Sequence, residues 1–341
     1  MRLRGERMLP PRDGISAARL RAPGGRETHA AAGDAVPGTI REWLETVVIP
    51  RTLGREEAFD DRALEPEFFT SDDGSLTSAF GERVSLDDPV APGGFYFFHK
   101  PYPPETRVPF EVGIRHEDAD LLVVDKPHFL ASTPNGRFVR ESVVTRLRAE
   151  RGEDDIVAIH RLDRVTAGLL VLSRRPATRG RYQVLFQERR IRKTYRALAW
   201  LPDGWRPDDP LPLGLEPGGP VVDIRSRLYK ADGVRAVSEV PGEPNAHTSV
   251  RLDSIGEHAG RAIGEFTLTP HTGKTHQLRV HMNALGMPLL GDPVYPIDLG
   301  PDRYDFSHAL QLLADHLEFD DPITGEPRAF TSALSLDAAA S

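Results

Sequence analysis

Two short segments hold the residues best suited to chemistry. The first is His160-Arg161-Leu162-Asp163-Arg164-Val165-Thr166-Ala167-Gly168-Leu169-Leu170, which sets a carboxylate between two guanidinium groups just ahead of an apolar run. Such an acid can attack an electrophilic carbon or move a proton. The same pattern also suits a turn in which Asp163 accepts the Val165 or Thr166 amide and the arginines face solvent, because carboxylates beside arginine often serve structural networks. The second is Thr272-Gly273-Lys274-Thr275-His276-Gln277-Leu278-Arg279-Val280-His281, a glycine turn feeding a polar helix start. Lys274, His276, Gln277 and Arg279 there can grip a phosphate or a base edge, and a plain capped amphipathic helix fits the pattern too. The tight stretch Leu285–Asp292 follows, where a turn role suits Asp292.

Composition removes several other chemistries. There is no cysteine, so disulfides, thiolate nucleophiles and cysteine-ligated zinc are excluded. The twelve histidines make no recognisable metal motif: His276 and His281 are five apart and no Glu follows His276, so no metal is expected. The longest apolar runs, such as Leu121–Val124 and Leu169–Leu172, are strand-sized, far from the roughly 20 residues of a membrane span. The Arg-rich start lacks an apolar core for a secretory signal, which leaves a cytoplasmic location as the expectation. The net charge of −8 speaks against nucleic acid as a partner, but its distribution does not. Between Arg140 and Arg196 there are 15 Lys or Arg against 7 Asp or Glu. Such a basic stretch inside an acidic chain can form an RNA footprint or a solvated, ion-paired face.

Positioning these residues takes a large domain, and 341 residues allow one of about 200 plus a smaller one. Residues 1–38, rich in Arg, Gly, Ala and Pro, read as a mobile leader. Residues 39–110 read as a small N-terminal domain, with Ile40, Trp43, Leu44 and Val47 on one helical face and a strand at Phe95–Phe98. Residues 111–330 form the domain that carries both motifs, and 331–341 a tail. Within it, strands are expected at Leu121–Asp125, Ala167–Leu172, Thr194–Trp200, Val221–Tyr229, Ala246–Ser254 and Ala262–Leu268. Helices are expected at Glu141–Glu150, Thr178–Arg189 and His276–Ala284, the last with Thr275 as N-cap. Several strands with few helices between them predict an α+β fold with a mixed, largely antiparallel central sheet.

Taken together, the ordered motifs resemble the RluA-type pseudouridine synthases. The family pattern HRLD-x-x-T-[SA]-G-L matches His160–Leu169, and G-[RK]-x-H-Q-[IL]-R-V-H matches Gly273–His281. Its G-x-P-x-x-G-D matches Gly286–Asp292, its Lys-Pro matches Lys126-Pro127, and its late His-Ala and P-x-T-G-E elements match His308-Ala309 and Pro322–Glu326. The likeness runs from about residue 111 to about 330. It departs at Ala167 in place of the commoner Ser, at Lys274 where Arg is common, and at Phe129, where the family usually has Gly two residues past Lys-Pro. Many relatives carry an S4 RNA-binding domain at the N-terminus. Residues 39–100 lack its basic helix, so any such domain is degenerate here.

The resemblance implies the pseudouridine synthase fold and an isomerase that converts chosen uridines in structured RNA, with large-subunit (23S) ribosomal RNA the first expectation and transfer RNA the alternative. It implies Asp163 as the catalytic carboxylate, Arg279 as the cation that pairs with and orients it, and Tyr195 as the aromatic against the flipped base. It also implies an RNA-contacting set: His160, Arg161, Leu162, Arg164, Lys126, Lys274, His276, Gln277 and Leu278. No cofactor is required, because isomerisation involves no net redox change, and relatives generally act as monomers without an obligate protein partner. The competing readings are a non-catalytic RNA-binding or chaperone protein on the same fold, which would not need Asp163, and an aspartate glycosidase, which would need a second opposed carboxylate.

Overall fold

The computed structural model describes residues 9–24, 37–53, 65–136, 138–300 and 305–337. The chain divides into two compact units. The first comprises residues 1–106 and 134–154, the second residues 107–133 and 155–341.

In the first unit, β1 (Ala18–Arg21) pairs antiparallel with β3 (Phe95–Phe98), which also pairs with the two-residue β2 (Thr77–Ser78). Part of the segment expected to be a mobile leader is therefore a strand: alternate residues of β1 turn inward, and Ala18 and Leu20 pack on the unit's core. The rest of residues 1–38 lies largely outside the described residues. Helix α1 (Ile40–Trp43) is capped by Thr39, whose hydroxyl accepts the Glu42 amide, as its sequence position suggests. It runs through a π-helical turn (Leu44–Val48) into α2 (Ile49–Leu53), and α3 (Pro66–Thr70) follows. Ile40, Trp43 and Leu44 are buried against Phe69, Tyr96 and Phe98. Helix α4 (Val143–Arg151) begins at Ser142, whose hydroxyl accepts the Thr145 amide, and groups with this unit although it lies beyond Phe110 in sequence. The units are thus not the two contiguous segments that composition suggests, because the chain leaves the second unit after Thr133 and re-enters it at Asp155.

The second unit is built on an eleven-stranded mixed sheet. Its strands are β4 (Gly113–Glu117), β5 (Leu121–Lys126), β6 (Val157–Ala158), β7 (Ala167–Ser173), β8 (Arg192–Trp200), β9 (Val222–Tyr229), β10 (Ser238–Val240), β11 (Ala246–His258), β12 (Arg261–Pro270), β13 (Leu312–Asp320) and β14 (Pro327–Thr331). The order is β10-β9-β11-β12-β8-β13-β7-β5-β4, with β14 against β13 and β6 against β7. Among the described residues, only β13–β7 is parallel; every other pairing in this sheet is antiparallel. The two apolar runs, β5 and β7, lie towards the β4 edge and are buried along their whole length, as expected for apolar strands covered on both faces. Helix α5 (Pro176–Gln187) lays Tyr182 and Leu185 on Leu121, Val123, Leu169 and Val171. Gly168 has φ +108, and a Cβ there would meet the Ala314 backbone at 2.3 Å, so the close β7–β13 approach requires glycine.

Candidate active site

The first motif, His160–Leu170, spans the turn between β6 and β7 and enters β7. The Thr166 amide donates to the Asp163 carbonyl at 3.1 Å, and the Asp163 side chain remains partly open to solvent. Ser132 ties the turn down: its hydroxyl donates to the Leu162 carbonyl and accepts the Leu162 amide, at 2.9 and 3.0 Å. The second motif ends in helix α6 (Gln277–Ala284). Thr275 is not its N-cap. His276 occupies the cap position in the left-handed conformation, φ +54, and makes no side-chain cap bond. An imidazole at positive φ is uncommon and tends to mark a site rather than a turn. Here its Nδ1 meets the Tyr295 hydroxyl at 3.0 Å, while Nε2 sits 3.8 Å from Asp163 Oδ2.

Arg279 links the two motifs. Only 2% of its side chain is exposed. Nε and Nη2 donate to Asp292 at 2.8 and 2.6 Å, while Nη1 donates to Asp163 Oδ2 at 3.3 Å. The expected Arg279–Asp163 pair is present, but the stronger grip is the two-pronged one on Asp292. Asp292 is in turn held by the Val294 and Tyr295 amides, at 2.8 and 3.1 Å. The turn role foreseen for Asp292 is therefore one half of its work; the other is to aim the guanidinium.

A cavity of about 120 Å³ opens between these motifs. Arg161, Leu162, Asp163, Tyr195, Lys274, His276, Gln277, Leu278 and Arg279 all line it, together with Thr166, Lys193, Thr272 and Gly273. Burial pushes the Tyr195 phenol well above its ordinary range, and the Asp163 carboxylate adds to the shift. Burial also pulls the His276 imidazole down to about 4, with the Arg279 charge as a second cause, so it is neutral at pH 7. Lys193 was not anticipated. It stands two residues before Tyr195 on β8, and period-two alternation alone would place both on one face.

Four of the residues expected to contact RNA are engaged elsewhere. Lys126 is 0% exposed and donates to the carbonyls of Pro127, Leu130 and Arg164 at 2.8, 2.9 and 3.0 Å. Burial lowers it to about 7, while the nearby Asp163 charge favours its proton. It cannot reach a ligand, and instead pins the loop after β5 to the turn that carries Asp163. His160 is half-buried and structural in role: its Nε2 accepts the Val171 amide at 3.0 Å and its ring stacks on Phe186 at 4.4 Å. Arg164 directs Nη1 to the Phe129 carbonyl at 3.3 Å and does not line the cavity. Gln277 reaches the cavity wall, but its amide is spent on Thr272, the Lys274 amide, the His247 carbonyl and Thr248. Each of these polar groups has to be satisfied inside the protein, which binary sequence patterns do not show.

Residues 120–284 match the model of the RNA pseudouridylate synthase family. The dual-specificity RNA pseudouridine synthase RluA of Salmonella typhi is 32% identical over 220 residues, which cover 64% of this chain and 90% of that protein. The chain belongs to the RNA pseudouridylate synthase family. RNA pseudouridine synthase 7 of Arabidopsis thaliana is 28% identical over 222 residues, and the chain spans only 54% of that longer protein. Human RNA pseudouridylate synthase domain containing 1 shares the fold, with a TM-score of 0.50 and 23% identity across 67% of this chain and 91% of that one. As a pseudouridine synthase, the chain is an RNA-modifying isomerase. The family match contains β5 through α6 and hence both motifs, while most of the first unit lies outside it.

Proposed function

We propose that this synthase isomerises a uridine in structured ribosomal RNA, first of all that of the large subunit, through Asp163, with transfer RNA as the alternative target. The observation that carries the reading is the meeting, in one cavity, of a partly exposed carboxylate, a buried guanidinium bonded to it, and a buried tyrosine. The target uridine enters flipped out of its stack. Asp163 attacks C1′, or supports a glycal-like intermediate, while the N1–C1′ bond breaks. The uracil turns over and C5 bonds to C1′ as the Asp163–C1′ bond, where formed, breaks and returns the carboxylate. The proton displaced from C5 leaves and N1 gains one, so the product is an isomer. Arg279 holds the Asp163 oxygen in place, which lowers the cost of a charge in a half-buried site. Tyr195 packs on the base, and its hydroxyl, kept protonated by burial and by the nearby Asp163 charge, moves a proton at the sugar C2′ only by taking one up as it passes one on.

A groove beside the cavity favours RNA over a smaller substrate. It shares Lys193, Thr272 and Gly273 with the cavity and continues past Phe186, Arg189, Arg192 and His316. Cationic side chains beside an aromatic face suit phosphates and an unstacked base. Among the described residues, no helix is long and apolar enough to cross a membrane.

The experiment is a transcriptome-wide pseudouridine map of cells lacking the protein, complemented with wild type or Asp163→Ala. One site lost and restored only by the wild type identifies target and carboxylate together. Restoration by Asp163→Ala refutes the nucleophile, and restored RNA binding without any modified site favours the non-catalytic reading.

A further inference from the structure

The register of three neighbouring strands gathers a second ionisable cluster outside the Asp163 cavity. In β11, Ala246, Thr248 and Val250 are buried, so His247 and Ser249 point to the other face of the sheet. Ser249 stands opposite Asp223 of β9 on one side and Thr269 of β12 on the other. Just past β12, the His271 amide donates to the His247 carbonyl at 3.0 Å, which prolongs the ladder by one step. Asp223, His247 and His271 are thereby brought to a common patch.

Their side chains converge. The two imidazoles stack with centroids 4.1 Å apart at 23°. His247 Nε2 lies 3.1 Å from Asp223 Oδ1, yet it is closed to solvent and makes no aligned hydrogen bond. Ser249 Oγ stands 2.6 Å from Asp223 Oδ1 and 2.7 Å from His271 Nε2, bridging the remaining pair. One ligand atom from each of Asp223, His247 and His271 falls within 4.8 Å of the others.

We propose that Asp223, His247 and His271 form a binding site for one divalent transition-metal ion of the zinc class. Two imidazole nitrogens and a carboxylate are a donor set that such ions select, and they leave a fourth position to water. Ligand atoms around a tetrahedral zinc stand about 3.3 Å apart, from bonds of about 2.0 Å. Contraction from the present spacing requires the stacked imidazoles to tilt so that their ring nitrogens converge, and Asp223 and His271 are exposed and free to turn. Arg225, across from His247 in the register, opposes a cation, and the Asp223 carboxylate compensates for it.

The cluster is joined to the cavity wall. The His247 amide donates to Thr272 Oγ1 at 2.9 Å, and Gln277 Nε2 donates to the His247 carbonyl at 2.9 Å. Thr272 and Gly273 line the cavity, directly after His271 in the chain. An ion held here would steady that segment without taking part in the isomerisation.

The test uses the untagged full chain, freed of metal with a chelator and titrated with zinc in a calorimeter and with cobalt(II) in a spectrophotometer. We expect one zinc per chain, a cobalt spectrum of nitrogen and oxygen ligation, and affinity at least about tenfold weaker in both His271→Ala and Asp223→Ala. Zinc should also raise the thermal midpoint of the wild type and not that of the two variants, whose circular dichroism is checked for an unchanged fold. Absence of saturable zinc binding, or one-to-one binding that both substitutions leave unchanged, overturns the proposal.

Discussion

Arg279 is the residue whose removal separates stability from chemistry most clearly. Replacing it by Met leaves Asp292, whose side chain is 0% exposed, without its counter-ion. Breaking a buried pair from one side costs about 3–5 kcal/mol, because an uncompensated charge stays behind. Removing both charges is often nearly neutral. Asp292 also accepts the Val294 and Tyr295 amides through Oδ1, so its partner change should be Asn, which keeps that oxygen. Arg279→Met/Asp292→Asn should therefore recover most of the stability lost by Arg279→Met alone. Activity should not recover, since Asp163 still lacks its guanidinium at 3.3 Å. A hydrogen bond to a charged group is worth about 1.5–3 kcal/mol, or roughly 10- to 150-fold in rate. Urea unfolding gives the first quantity and single-turnover pseudouridine formation on the mapped RNA gives the second. The reasoning is refuted if Arg279→Met costs under about 1 kcal/mol, or if the double variant turns over like the wild type.

Tyr195→Phe should leave stability within about 1 kcal/mol of wild type yet slow turnover by about 100-fold if the hydroxyl moves a proton; near-normal turnover assigns the ring to stacking alone. Arg161→Ala, at an exposed cavity edge, should weaken RNA binding and reduce the slope of log affinity against log salt by about 1, and an unchanged slope in a filter-binding titration removes Arg161 from the RNA contact. Phe129 is buried at φ +67, with Phe306 and Phe110 rings 5.5 and 6.1 Å away. Phe129→Gly relieves about 1–2 kcal/mol of left-handed strain but forfeits about 3–5 kcal/mol of aromatic packing, so the denaturation midpoint should fall, and a rise would show that strain dominates. His160 is held unprotonated, down to about 3, by burial and by the Lys193 charge, while its Nε2 accepts the Val171 amide. Its folded proton affinity lies below the unfolded one, so its contribution is full above about pH 6.5 and declines by about 1.4 kcal/mol per pH unit as pH falls towards 3; His160→Phe should flatten stability measured between pH 7 and 5, and an unchanged pH slope would contradict the assignment.

Local pattern was enough for the strands and helices that carry the motifs. The apolar runs Leu121–Val124 and Leu169–Leu172 became the core strands β5 and β7, and the motif from Thr272 onward became a turn feeding α6, because hydrophobic periodicity and turn residues act over a few positions. The family resemblance of the ordered motifs, more than the residue types alone, pointed to Asp163 and Arg279 as partners, and the ion pair between them is present. Other features depend on contacts between residues far apart in the chain. Strand β13 was not foreseen, and it separates β7 from β8 in the sheet. Lys126 and His160 stood in the RNA-contacting set that the resemblance implies and are engaged inside the fold, because three carbonyls of the folded chain surround one and a backbone amide and a phenylalanine ring engage the other. The Asp292 grip on Arg279 and the Asp223–His247–His271 patch arise in the same way, one where the loop after α6 folds back and one where three strands come into register. Sequence by itself determined which groups were available for catalysis; only tertiary structure decided which of them face the cavity, since burial and hydrogen-bond satisfaction are set by neighbours that the local sequence does not name.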